Sequence, residues 1–262
     1  MKSGLLLLLA SALSFAQTPT VADGGVLNSA TYVRGQAVSP GSLVAIFGSE
    51  LAAGLAQADS IPLSTTLANV SVTFNSVPAP LTFVSPGQIN AQLPWNVLSS
   101  GSLSGTAQVV VTRNGVASAP KSVEIAPFSP GIYAVDNRAI AINLDGSLAQ
   151  PAGSIPGINA RPARQGDAII ILGTGLGAVD STLDNGAASR DRLRTVNTPP
   201  MVLINGMTSP VLFAGLSPDF VGVYQVNATV PATTGAGATL PLQWSVGGVT
   251  STDRTTIAVA TP

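Results

Sequence analysis

Few residues in this chain are of types that do chemistry, and their spacing narrows what they can do. The sequence has no His and no Cys. That removes the commonest general base, the Ser-His-Asp arrangement, thiolate nucleophiles, disulfides and nearly every transition-metal site. Beyond Lys2 the sole lysine is Lys121, in the strand-like run SVEIA. A solvated edge charge explains it better than a Ser-Lys dyad. Glu50, Glu124 and the aspartates remain, most of the aspartates in turn-like segments. A carboxylate pair for glycoside hydrolysis would have to come from them, across a sugar cleft. Such clefts are normally rich in aromatic residues, which make up 5% of this chain, so hydrolysis of a polysaccharide is the secondary reading. Asp180, Asp184 and Asp191 share one acidic loop without the spacing of a calcium loop and read as solvated. No catalytic residue, metal ligand or cofactor is expected.

Three groups of residues suit contact rather than catalysis. Arg190, Arg192 and Arg194 alternate in RDRLR. They read first as a solvated strand or loop; on an extended segment they would face one side, and a contact for an anionic glycan or a partner protein is the functional alternative. Interleaved Asp191, the shortage of stacking aromatics and a net charge of −1 argue against nucleic acid. Gln88 with Asn90, and Gln225 with Asn227, are spaced to share one face of a strand. They read as satisfying backbone groups at a loop or domain interface, with a repeated binding groove as the functional alternative. Trp95 and Trp244 read as core, and as a sugar platform only if exposed. The stretch GDAIIILGTGLG, Gly166 to Gly177, resembles a strand entering a phosphate loop. Its G-x-G-x-G spacing and the unhelical AVDSTLDNGAAS that follows make it a strand end and tight turn instead, with Gly173 ending its strand as Gly48 ends Leu43 to Phe47.

The elements that must position these residues are strands. Apolar residues reach 45%, charged ones only 9%, and Gly (27) and Pro (20) are abundant, which suits short strands and tight turns. Lys2, the apolar run Leu5 to Leu13 and Ser14-Phe15-Ala16 read as a signal peptide over residues 1–16. The run is too short to span a bilayer, so no membrane insertion is expected after cleavage. Strands are expected at Val26 to Tyr32, Leu43 to Phe47, Val70 to Phe74, Leu81 to Val84, Ile89 to Leu93, Ala107 to Thr112 and Lys121 to Ile125. Turns are expected at Asn75-Ser76, Pro86-Gly87 and Asn114-Gly115. The Pro-rich APFSPGIY places a boundary near Ser129. Ile132 to Asn143 then reads as the opening hairpin of a second half.

That second half repeats the first. Gly41, Gly48 and Leu51 recur as Gly166, Gly173 and Leu176; Asn75, Pro80 and Phe83 as Asn205, Pro210 and Phe213. After an insertion around Asp219 to Val223, Gln88, Asn90 and Pro94 recur as Gln225, Asn227 and Pro231. Gly115, Val116 and Ser118 recur as Gly248, Val249 and Ser251. Colinear identity of this kind predicts two copies of one fold. The expectation is an all-β chain of two tandem immunoglobulin-like β-sandwiches, over residues 17–129 and 130–262.

Each copy resembles the immunoglobulin-like IPT/TIG domain. The set NSATY, PGSLVAIFG, SVPAPLTFVSPGQINAQLPW, RNGVAS, SPGIY, GDAIIILGTGLGAV and AGLSPDFVGVYQVNATVP more closely resembles an uncharacterised Acidobacteria (Solibacter-type) C-terminal domain family. That resemblance implies an exported protein and carries over no activity or catalytic residues. The expected function is non-enzymatic: binding, or a structural role in the cell envelope or outside the cell. The expected partner is a protein or glycan of the envelope or medium, and the expected location periplasmic or extracellular. The alternatives are a carbohydrate-binding module and the polysaccharide hydrolase.

Overall fold

The computed structural model describes residues 17–98, 102–251 and 254–261. The leader expected over residues 1–16 lies outside them. Alternation and turn chemistry account for most of what forms. In Val70–Phe74, buried Val70, Val72 and Phe74 alternate with half-buried Ser71 and Thr73, so one face meets a core. The chain then reverses at Asn75-Ser76, with φ of 49° and 66°, placing Val77 opposite Phe74. Such two-residue turns match the twist of the strands they join. Equivalent hairpins occur at Asn114-Gly115 and Asn205-Gly206, the latter the repeat-mate of Asn75-Ser76.

Four sheets result, with no helix among the described residues. In the first half, Thr20–Asn28, Leu43–Ser49, Gln88–Gln92, Leu81–Val84 and Ala56–Gln57 pair in that order. The opposing sheet is built on Val70–Phe74, Gly105–Arg113 and Lys121–Ile125. Their inner faces contribute Val44, Ile46, Val72, Phe74, Leu81, Ile89, Val109 and Val111 to one core. In the second half Ala168–Thr174, Tyr224–Thr229 and Val211–Leu216 take the places of Leu43–Ser49, Gln88–Gln92 and Leu81–Val84. Met201–Ile204, Gly237–Val246 and Thr256–Ala260 oppose them. A separate core gathers Ile169, Ile171, Val202, Val226, Leu242, Ile257 and fully buried Trp244. The chain is all-β, two immunoglobulin-like sandwiches in tandem.

The repeat extends to irregularities. Leu81 pairs with Ala91 and Phe83 with Asn90, leaving Thr82 bulged; Val211 pairs with Ala228 and Phe213 with Asn227, leaving Leu212 bulged. The opening strand diverges more. In the first half it bulges between Val21, opposite Gly48, and Val26, opposite Ile46. In the second, Ile132 lies opposite Gly173 and Ala141 opposite Ile171, and the interval has grown into a hairpin, Ala134–Val135 with Arg138–Ala139, that joins the other sheet.

Three expectations about elements need correction. The first strand is Thr20–Asn28, not Val26 to Tyr32. It stops because the Asn28 side-chain oxygen accepts the Ala30 amide (2.8 Å) and turns the chain, leaving Tyr32 at φ 55°. Ile132 to Asn143 is not a simple hairpin, since both its ends pair with Ala168–Thr174. Gly48 and Gly173 do not end their strands, which run on to Ser49 and Thr174. They are glycines because a neighbouring strand crosses too closely for a side chain: a Cβ would collide with the Thr20 carbonyl in one copy and the Gly131 carbonyl in the other.

Candidate functional site

The junction of the sandwiches is where polar chemistry concentrates. The Leu43 amide, opening a strand of the first half, donates to Thr174 Oγ1 (3.1 Å) of the second, and that hydroxyl donates to the Gly222 carbonyl (2.8 Å). Buried Asn28 donates to the Ser129 carbonyl (2.6 Å), and the Ser29 and Tyr133 hydroxyls are bonded at 2.9 Å. Burial pushes the Tyr133 phenol up to about 12, so it stays a neutral hydrogen-bonding group. On another flank the loop around Asn185-Gly186 reaches across. The Gly186 amide donates to Gln92 Oε1 (2.7 Å), its carbonyl accepts from the Leu63 amide (2.8 Å), and Asn185 Oδ1 accepts from the Trp95 amide (2.9 Å). Buried polar groups satisfied on both sides fix the relative orientation of the halves.

Between those attachments runs a groove. Two adjoining hollows of about 460 and 270 Å³ share Leu43 and Thr82 on their floor. Gln57, Asp59 and Asn90 contribute from the first half, Arg190, Phe220 and Tyr133 from the second, and Tyr32 stands at one end. Tyr32 and Phe220 are 49% and 55% exposed. Amides, hydroxyls and open aromatic faces therefore share one surface, and Asp59 is the single carboxylate among the described residues lining it. Arg190 at its edge is paired with Asp219 at 3.7 Å. The arrangement suits an uncharged, hydroxyl-rich ligand: apolar ring faces can cover carbon, and amides can meet hydroxyls.

The arginines do not share a side. Residues 190–194 are not a strand, and Arg194 turns inward. Its guanidinium holds Asp191 by a forked pair (2.7 and 3.2 Å), Ser189 Oγ and the Thr182 carbonyl. Arg194 beside it draws the Asp191 carboxyl down to about 2. Arg192, also near Asp191 (3.5 Å), stays exposed, and only Arg190 reaches the groove.

In each copy the Gln side chain donates to its Asn neighbour, Gln88 to Asn90 and Gln225 to Asn227, both at 2.8 Å. They satisfy each other rather than backbone groups. Asn90 lines the groove, while Asn227 lies on the corresponding face of the second half. Trp244 is core, and half-buried Trp95 packs at the junction against the second core.

The remaining candidates stay apart. Glu50 is paired with Arg113 (2.8 Å), Asp23 with Lys121 (2.5 Å) and Asp145 with Arg161 (2.6 Å). Asp180 accepts from Thr195 (2.7 Å). No three acidic groups among the described residues gather as metal ligands. Sequence reasoning missed Tyr32, Thr82, Asp59 and Phe220. For Phe220 a signal was present, because the insertion at Asp219 to Val223 in one copy only is the segment that lies over Leu43.

Residues 27–125 match the IPT/TIG domain. The first sandwich is thus of the IPT/TIG immunoglobulin-like type. No curated protein matches the sequence. Among solved structures, the chain is similar to a surface glycan-binding protein of Prevotella bryantii, with 13% identity, a TM-score of 0.27, and coverage of 90% of this chain and 41% of that one. The chain therefore spans less than half of that protein. It is also similar to the I9–I11 tandem of titin, at 10% identity and TM-score 0.23, covering 94% of this chain and 67% of that one. A third similarity is to the C-terminal domain of the Streptococcus pyogenes antigen I/II-family protein AspA, at 9% identity and TM-score 0.20, covering 92% and 98%.

Proposed function

We propose that this is an exported, non-enzymatic binding protein whose ligand surface is the groove between its sandwiches. One observation carries the reading: both halves build the groove, and it presents exposed Tyr32 and Phe220 with Asn90, Thr82 and Gln57. The ligand class that fits is a neutral glycan of the envelope or medium. Export rests on the signal-peptide pattern of residues 1–16, and membership of the whole chain in the Acidobacteria family rests on its motif set, which runs through both copies. The division at residue 129 is part of the same proposal, supported by the separate cores. Against the hydrolase reading, the groove lining offers one carboxylate where the chemistry needs two.

Affinity electrophoresis in gels containing uncharged polysaccharides tests this. At least one should retard the protein, and Phe220→Ala should remove most of that retardation. Equal mobility in every gel would contradict it.

A further inference from the structure

A second hollow lies on the other side of the Pro40–Leu43 segment: Pro40 lines it, whereas Leu43 lines the groove. Its volume is about 430 Å³. Its walls come from the first half (Trp95, Leu98, Leu103), the connector (Phe128) and the second half (Ala178, Asn197). Unlike the groove it has no charged side chain among its described lining residues, and its two aromatic rings sit among aliphatic neighbours. Asn96 and Asn197 supply the amides, and Asn96 Oδ1 already accepts from Asn185 across the junction (2.9 Å). A charged ligand would lose hydration here without a countercharge to replace it, whereas apolar surface gains by burial. Volume, aromatic walls and a few convergent polar groups at a domain interface are the features of a small-molecule site.

We infer that this pocket binds a neutral, mainly apolar small molecule of one or two rings carrying a single hydrogen-bonding group, at a site separate from the groove. The rings lie against Trp95 and Phe128 and the polar group meets Asn197. Because the connector and both halves form the walls, such a ligand also braces the junction.

The test is a fluorescence titration of the full chain with 6-propionyl-2-dimethylaminonaphthalene, an uncharged, polarity-sensitive probe of two fused rings whose carbonyl can accept from the Asn197 amide. One probe should bind per chain. Ala178→Trp, at an exposed wall position, should fill the pocket and weaken binding by about tenfold or more with an unchanged far-ultraviolet circular dichroism spectrum and melting temperature. Leu144→Ala, which removes an exposed leucine elsewhere, should leave binding unaltered. Should Ala178→Trp not fold, Leu103→Gln alters a 55% exposed wall residue and should weaken binding about fivefold. Absence of binding, binding unaffected by the wall variants, or loss of probe as the protein dimerises would each overturn the inference; the last would make this face a contact between copies.

Discussion

The Gly186 amide donates to the side-chain oxygen of Gln92 over 2.7 Å, tying a loop of the second sandwich to a fully buried glutamine on the first. Gln92 also donates to the Gly41 carbonyl (3.3 Å), so one side chain bridges both halves. Gln92→Leu keeps similar bulk and leaves Gly186 N–H without its acceptor. Chemical denaturation should show a loss of about 1 to 3 kcal/mol, the cost of an unpaired buried donor. Limited proteolysis should also cut faster within residues 178–196.

The glycines of LGTGLG answer to the junction. Gly175 has φ 82°, and a Cβ there would collide with the Ser129 carbonyl of the connector. Its counterpart in the first copy, Glu50, adopts the same left-handed conformation (φ 56°), held by Arg113, which donates to both its carbonyl (3.1 Å) and its carboxylate (2.8 Å). Gly175→Ala should therefore cost substantially more in thermal stability than Gly166→Ala. Gly166 is also left-handed (φ 88°), but a Cβ there has open space around it.

Acid should act through Asp191. Its carboxyl is held at about 2 against an ordinary 3.8, chiefly by its hydrogen bonds to Arg194. A lowered folded-state value means the stabilising contribution is complete above pH 3.8 and is lost as pH falls through 2. The Arg194 pair closes the loop that carries Gly186. The protection factors of amides in residues 178–196, which set aside the intrinsic pH dependence of exchange, should fall between pH 4 and about 2 in the native sequence. In Asp191→Asn they should already be low at pH 5 and change less over that interval.

Much of this architecture was legible because it is written locally. Asn75-Ser76 and Asn114-Gly115 mark their turns by tolerance of positive φ, and the spacing of Gln88 with Asn90 puts both on one strand face. The colinear repeat survives because the same turns, bulges and close strand crossings recur. Arg194 was misread because its neighbours in sequence say nothing of the Thr182 carbonyl and Ser189 hydroxyl that draw it inward. The groove was illegible for the same reason on a larger scale. Leu43 and Phe220 are far apart in the chain and meet only when two finished sandwiches dock.

Within the groove, the exposed aromatic rings should dominate affinity. Tyr32→Ala and Phe220→Ala should each weaken binding of a neutral glycan by about tenfold, roughly 1.4 kcal/mol. Their melting temperatures should change little, since both rings are about half exposed. Arg192→Ala, outside the groove lining, should leave affinity unaltered.

The central claim is binding without turnover in a groove both halves build. Its most direct test is to incubate the protein for a day with a neutral polysaccharide that it retains and then measure both the bound fraction and the polysaccharide's chain length by size-exclusion chromatography. The account predicts retention that is lost in the Tyr32→Ala, Phe220→Ala double variant, with chain length unchanged throughout. Shortened chains, or retention that survives the double variant, would contradict it.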